Sequence, residues 1–149
     1  IDYSLCNLIL NLFFSSLFIV VEGIQKTGLL TNLISRYPLT NDLNGIWVLH
    51  GISFIGSQIV SNVPLTVVLL PFMKAADSSI LWLSLASAST LAGNATIIGA
   101  MANLIVIETA EKQKVKIKFM DFFKSGIIIT IITLLLSVLI IYVEQLLMC

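Results

Sequence analysis

Four stretches of this chain carry no Asp, Glu, Lys or Arg: residues 5–21, 46–73, 80–107 and 127–143. The outer two are 17 residues long and the inner two 28. At 1.5 Å per residue a 17-residue helix covers about 26 Å, close to the ~30 Å hydrocarbon core of a bilayer. Composition points the same way, with 58% apolar residues, 11% charged and a mean hydropathy of +1.04. An ordinary soluble domain is ~45–50% apolar and ~25% charged, so a water-soluble enzyme is excluded.

Eight basic residues balance eight acidic ones, leaving no net charge to hold nucleic acid. Cys6 and Cys149 stand at opposite ends with one histidine, His50, between them, and no metal-ligand spacing or disulfide framework is present. The chain opens on Ile1 and runs almost directly into an apolar stretch without a basic leader or a small-residue cleavage site. It therefore reads as a fragment of a longer membrane protein rather than as a signal peptide followed by a domain.

The expected fold class is an all-α membrane protein. Residues 5–21 and 126–143 read as transmembrane helices. The first carries Asn7, Asn11 and Ser15 on one face, which should look into protein, through hydrogen bonds between helices or along a substrate path. Phe13 and Phe14 read as lipid or core contacts. Residues 46–73 are too long for one upright span. Pro64 lacks an N–H and pushes Val63 away from helical dihedrals, so a break is expected there. Two short arms, 46–60 and 65–73, then form a re-entrant helical hairpin; the alternative is one tilted helix with a proline kink. Residues 80–107 are interrupted by Gly93-Asn94-Ala95-Thr96 and read as a discontinuous transmembrane helix, unwound where protein or water must satisfy the backbone. Ser84, Ala88 and Ala92 recur at i+4, as do Ala95, Gly99 and Asn103, a spacing that lets helices approach closely.

Two connectors remain. Residues 22–44 read as an interfacial amphipathic arm. Residues 108–125 hold Lys112, Lys114, Lys116, Lys118 and Lys124 followed by Phe119, Phe122 and Phe123, a basic loop and aromatic anchor that act as a topology signal. The positive-inside rule puts this arm in the cytoplasm of a plasma (inner) membrane protein, with the hairpin mouth and carboxy terminus outside. Trp47 and Trp82 fall near helix starts, where interface anchoring accounts for them. The Asn94-Ala95-Thr96 sequon is too deep for glycosylation.

Each break should leave a half-helix, from Leu65 in one case and about Ile97 in the other, whose free N–H groups attract anions or polarised oxygens. The carbonyls freed before each break, with Ser61, Asn62, Asn94 and Thr96, offer oxygens to a small cation such as Na+. Paired broken helices near the midplane mark the binding sites of secondary transporters.

Residues 61–66 (Ser-Asn-Val-Pro-Leu-Thr), Leu69-Leu70-Pro71, residues 93–103 and the 117–126 arm with Asp121-Phe122-Phe123-Lys124 together resemble the carboxy-terminal repeat of the ion transporter superfamily. That group holds ArsB-type arsenite permeases, NhaD-type sodium/proton antiporters, citrate permeases and sodium/dicarboxylate symporters. The resemblance covers nearly the whole chain. It implies two inverted repeats whose hairpin tips and unwound helices enclose the substrate, this chain being one repeat. It places Ser61, Asn62, Pro64 and Thr66 at the tip, and Gly93, Asn94, Thr96, Gly99 and Asn103 at the unwound segment. Val63 stands where dicarboxylate symporters carry threonine, which leans toward the arsenite or general anion permeases.

The expected function is ion-gradient-coupled transport of a small anion or oxyanion, arsenite or a citrate-like dicarboxylate among them. A sodium/proton antiporter and a channel-type pore are the alternatives, and a membrane enzyme is the weakest class because one histidine without a buried carboxylate makes a poor catalytic set. With no carboxylate inside the spans, sodium is the first choice of coupling ion and no other cofactor is expected. His50 reads as a hydrogen-bonded packing residue or, alternatively, a proton carrier. The partners are the lipid bilayer, the small anionic solute and the missing amino-terminal repeat of the same transporter, with a homodimer left open and nucleic acid excluded.

Overall fold

The computed structural model describes residues 3–36 and 39–148, and among these the fold is all-helical. In chain order the helices are α1 (Tyr3–Lys26), α2 (Leu29–Arg36), α3 (Leu43–Val60), α4 (Asn62–Ala76), α5 (Ser79–Ala92), α6 (Met101–Lys112) and α7 (Phe119–Met148). Among the described residues, α3 and α7 are long and apolar enough to cross a membrane. Of the expected polar face on α1, Ser15 is exposed, while the side chains of Asn7, Asn11, Phe13 and Phe14 lie outside the described residues.

Local chemistry sets the ends of these helices. Asp42 caps α3 by accepting from the Gly45 amide at 2.9 Å. Asp77 closes α4 in the left-handed region at φ 42°, and Ser78 at once caps α5, so two residues reverse the chain between them. The most tightly wound connection is between α3 and α4, where Ser61 alone is non-helical, with φ 69° and ψ 163°. The break therefore falls three residues before Pro64, not at it. Pro64 sits in the first turn of α4, where an N–H has no intrahelical partner and its loss costs nothing. This is why α4 begins at Asn62 rather than at Leu65 and reaches 15 residues, about 22 Å. Pro71 lies within α4 without ending it.

α3 and α4 fold back on each other. Leu49, before the turn, and Leu65, Leu69 and Met73, after it, share one buried cluster with Leu81 and Leu85 of α5. Ile34 of α2 and Leu39 pack against the same cluster, so the segment expected as an interfacial arm is partly drawn onto the hairpin. α5 lies alongside α3, and the contact is made by small residues: Ser53 and Ser57 face Ser84, Ala88 and Ala92, with Ser89 nearby and all buried. In an apolar solvent, association between helices rests on van der Waals packing, and small side chains bring the backbones close enough for it. The second expected small-residue stripe is not a helix face. Ala95 and Gly99 lie in non-helical chain between α5 and α6, and helix resumes at Met101 instead of near Ile97.

α7 covers α3 and α5 from outside. Ile46 of α3 packs with Val138 and Ile141, and Gln145 Nε2 donates to the Asn41 carbonyl at 2.7 Å. The carboxy-terminal end of α7 thus lies beside the start of α3. The lysine-rich chain is shorter as a connector than expected, because α6 continues to Lys112 and α7 starts at Phe119, with Phe119 and Phe123 stacked on its first turns at a centroid separation of 6.1 Å. Outward, α7 presents Ile128, Ile129, Ile132, Leu135, Leu136, Leu139 and Ile140, all exposed.

Candidate functional site

The tip of the α3–α4 hairpin and the non-helical chain at residues 93–100 are in direct contact. The Asn62 amide donates to the Gly99 carbonyl at 3.1 Å, and the Ser61 hydroxyl reaches the same oxygen at 3.4 Å. Ser61 holds a φ/ψ combination that is essentially confined to glycine, at a cost of order 1–3 kcal/mol, so its surroundings must impose it. Its amide donates to Ser57 and its carbonyl accepts from Leu65, so both of its backbone groups are fixed.

Gln58, one turn before the tip, joins the two breaks most firmly. Its Nε2 donates to the Phe54 carbonyl at 3.1 Å and to the Ala92 carbonyl at 2.9 Å, while its Oε1 accepts from the Thr96 hydroxyl at 2.8 Å. A primary amide has two N–H donors, and both are used. From the far side, Asn103 of α6 donates to the carbonyls of Gly93 at 2.8 Å and Thr96 at 2.9 Å. Thr96 Oγ1 in turn accepts from the Gly99 amide at 3.1 Å. The loop is closed on itself: a Cβ at Gly99 would stand 2.7 Å from the Gly93 carbonyl oxygen and 2.9 Å from Gln58 Oε1. Both glycines serve close approach, since neither has a positive φ. On its outer side the loop lies against α7 at Gly126, where a Cβ would meet the Asn94 carbonyl oxygen at 2.4 Å.

These bonds change two expectations. The first-turn donors of α4 are not free, because Asn62 N–H is held by Gly99, Val63 N–H bonds to Asn62 Oδ1 at 2.9 Å, and Pro64 has none. The carbonyls of Ala92, Gly93, Thr96 and Gly99 are likewise taken. α6 starts without a side-chain cap, since its N-cap, Ala100, supplies no acceptor, and the Asn103 amide bonds the Ala100 carbonyl.

Of the residues expected at the site, Ser61, Asn62, Gly93, Thr96, Gly99 and Asn103 form one connected hydrogen-bonded group. Pro64 lines a cavity of about 340 Å3 beside it, bounded by Ser16 and Val21 of α1, Ser61 at the tip, and Ile98, Met101 and Leu104 at the start of α6. Thr66 turns its hydroxyl back to the Asn62 carbonyl at 2.9 Å. Asn94 stands apart, exposed, beside Asp121 and Ser125 in a separate cavity against α7. The four oxygens suggested for sodium therefore do not converge in this conformation, since Asn94 faces α7 and the Thr96 hydroxyl is committed to Gln58. Gln58 and Gly126 join the tip, the break and α7 and were passed over in the sequence reading. The signal for Gln58 was present: an amide deep in an uncharged helix needs partners from another segment.

His50 is 3% exposed, with Nδ1 2.9 Å from the Ile46 carbonyl and Nε2 3.1 Å from the Ser137 hydroxyl of α7. It belongs to the α3–α7 contact, about two turns before the residues that bond the tip to the break.

Known proteins with similar sequences agree on a family. The model of the citrate transporter family, CitMHS, matches residues 10–92, more than half of the chain, from α1 to the end of α5. The chain is 38% identical over 113 residues to the silicon efflux transporter LSI3 of Oryza sativa subsp. japonica, covering 69% of this chain and 23% of that protein. A 46 kDa membrane protein of Mycobacterium leprae is 30% identical over 149 residues, 92% of this chain and 34% of that one. A transporter named arsB of Dictyostelium discoideum is 36% identical over 136 residues, 87% and 24% respectively. The chain thus spans between about a quarter and a third of the length of these relatives. No solved structure matches. Two of the relatives are named as transporters and the third as a membrane protein, and the chain belongs to the citrate transporter family, within the ion transporter group its motifs resemble.

Proposed function

We propose that this chain is one repeat of an ion-gradient-coupled carrier for a small oxyanion or its neutral hydroxy acid, with α3–α4 as a re-entrant hairpin and α5–α6 as a discontinuous transmembrane helix. The observation that carries this reading is the Gln58–Thr96 bond together with the Asn62–Gly99 bond, which ties the hairpin tip to the break as one unit. Helix lengths support it. α3 runs about 27 Å to the tip, just short of the ~30 Å hydrocarbon core, and α6 extends about 18 Å past the break, lengths that fit a tip within the bilayer.

In this reading the solute occupies the cavity beside Ser61, where the start of α6, which has no side-chain cap, presents a positive dipole end. No Lys or Arg lines that cavity. A fully ionised citrate would shed its hydration there without a compensating cation, whereas a neutral or singly charged hydroxylated solute needs only hydrogen-bond donors. The names of the silicon efflux and arsB relatives support the same solute class. Asn62 and Asn94 keep unused amide donors and line the route on either side of the break. Sodium is the coupling ion, bound after the tip and break separate enough to free the carbonyls they now share. The lysine-rich turn faces the cytoplasm of the plasma (inner) membrane, lipid covers the outer face of α7, and a second repeat closes the site, with a homodimer as a further assembly.

The test is uptake of arsenite, silicic acid and citrate into liposomes by the full-length transporter under an imposed sodium or proton gradient. Gradient-dependent arsenite or silicic acid uptake is expected, abolished by Asn62→Ala and strongly reduced by Ser61→Gly, which relaxes the backbone while removing the hydroxyl. Gradient-independent flux with single-channel currents would instead establish a pore, and uptake indifferent to both substitutions would remove the tip from the site.

A further inference from the structure

A hydrogen-bonded chain of side chains crosses from α3 to α5 beneath α7, away from the tip. His50 Nε2 lies 3.1 Å from Ser137 Oγ, Ser137 Oγ lies 3.0 Å from Ser87 Oγ, and Ser87 Oγ lies 3.2 Å from the Ser84 carbonyl. At the other ring nitrogen the partner is a carbonyl, which only accepts, so Nδ1 carries a proton in either charge state. Nε2 is then the titrating atom.

The two protonation states use the same atoms with opposite donor directions. With the ring neutral, Ser137 donates to Nε2 and Ser87 donates to Ser137. With the ring charged, Nε2–H donates to Ser137, Ser137 to Ser87, and Ser87 to the Ser84 carbonyl. Neither state leaves a buried donor without an acceptor, which is the costly outcome for a buried polar group. Ser87 and Ser137 line a groove of about 400 Å3 between α5 and α7 whose other walls are mostly apolar, Leu83, Leu91, Leu136, Ile140 and Ile141, with Thr133 among them and Glu144 at the end nearest the hairpin mouth.

We propose that His50 is a proton-binding site served by a Ser87–Ser137 hydroxyl relay from the α5–α7 groove. Uptake of one proton moves the Ser137 hydroxyl proton onto Nε2 and the Ser87 proton onto Ser137. A hydronium ion entering past Glu144, at the end of the groove beside the hairpin mouth, reprotonates Ser87 and leaves as water. The ring gains one charge, and the hydroxyls then reorient. The surrounding charges are few. α5 carries no titratable residue, α4 has Lys74 in its last turn, and α7 has Tyr142 and Glu144 beyond Ser137 and Asp121 and Lys124 near its start. On its own side α3 has Asp42 at its cap, and none of these groups is hydrogen-bonded to the ring. The site stands on this bond chain and is independent of what the carrier transports.

In nitrogen-15 NMR of the histidine-labelled full-length transporter in lipid nanodiscs, the His50 imidazole is identified as the signal that His50→Gln removes. In alkaline solution the ring should be neutral with the proton on Nδ1, and acidification should convert it reversibly to the doubly protonated form. Ser137→Ala removes the acceptor for the charged form and should move the midpoint about one pH unit lower, with Ser87→Ala giving a smaller shift in the same direction. A proton on Nε2 at high pH, a ring that gains no second proton over the range in which the protein stays folded, or a midpoint unmoved by both serine substitutions would overturn the site. Should Ser137→Ala misfold, the wild-type tautomer and the Ser87→Ala shift decide the question.

Discussion

At the scale of single residues, the tightest constraints are glycines without unusual dihedrals. Gly99→Ala would drive a methyl into the Gly93 carbonyl oxygen, a backbone atom that cannot step aside, and should destabilise the fold by about 1–3 kcal/mol. Gly51→Ala makes the contrast. It lies within α3 with open space around its Cα, so alanine should stabilise by about 0.5–1 kcal/mol through helix propensity. Thermal unfolding in nanodiscs should therefore move the melting temperature in opposite directions for the two. Asp42 supplies a pH dependence outside the spans. The Thr40 hydroxyl first, and the Gly45 amide next, hold its carboxyl below the ordinary 3.8. A carboxylate lowered on folding stabilises fully above its unfolded pKa of about 3.9 and ceases to do so as pH falls through the lower folded value. Melting should thus fall in acid below about pH 4 through this cap, and Asp42→Asn should lose that component of the pH dependence.

Between elements, the hairpin and the break act as one structure because Gln58 and Thr96 satisfy each other. Removing either leaves buried polar groups without partners, about 1–3 kcal/mol each, and removing both should cost less than the sum. A double-mutant cycle of Gln58→Ala and Thr96→Ala, read by thermal unfolding, should give a coupling energy of about 0.5–3 kcal/mol, whereas additive losses would mean the two do not touch. Much of this element-level plan was legible in the chain itself. Uncharged run lengths, Gly93 and the polar Asn94/Thr96 pair located the second interruption, and the 61–64 motif located the first. What could not be read was which atom breaks the helix. Proline is tolerated in a first turn, so the disruption passed to Ser61, whose strained backbone depends on bonds to Gly99 thirty-eight residues away. Long-range bonds of that kind have no period or spacing in sequence, which is also why the carbonyls expected to be free are occupied.

For the whole molecule, the hydrogen bonds set the order of levels along the bundle. Gln145 of α7 meets Asn41 at the mouth of the hairpin, Gly126 of α7 meets the break at Asn94, and the lysine-rich turn lies beyond the break. The mouth and that turn are therefore at opposite ends. Cysteine introduced at Lys116 should react with an impermeant thiol reagent only from the cytoplasmic face, and cysteine at Asn41 only from the other; labelling of both from one side would reject the arrangement. The central claim is that the tip and the break meet inside the bilayer and hold the solute beside them. An electron cryomicroscopy map of the full-length transporter in lipid, with saturating arsenite or silicic acid, tests it most directly. The account predicts interrupted helical density at Ser61 and at residues 93–100, joined through Gln58, with solute density between Ser61 and the start of α6; a continuous helix from Ser79 to Lys112, or solute bound away from both interruptions, would contradict it.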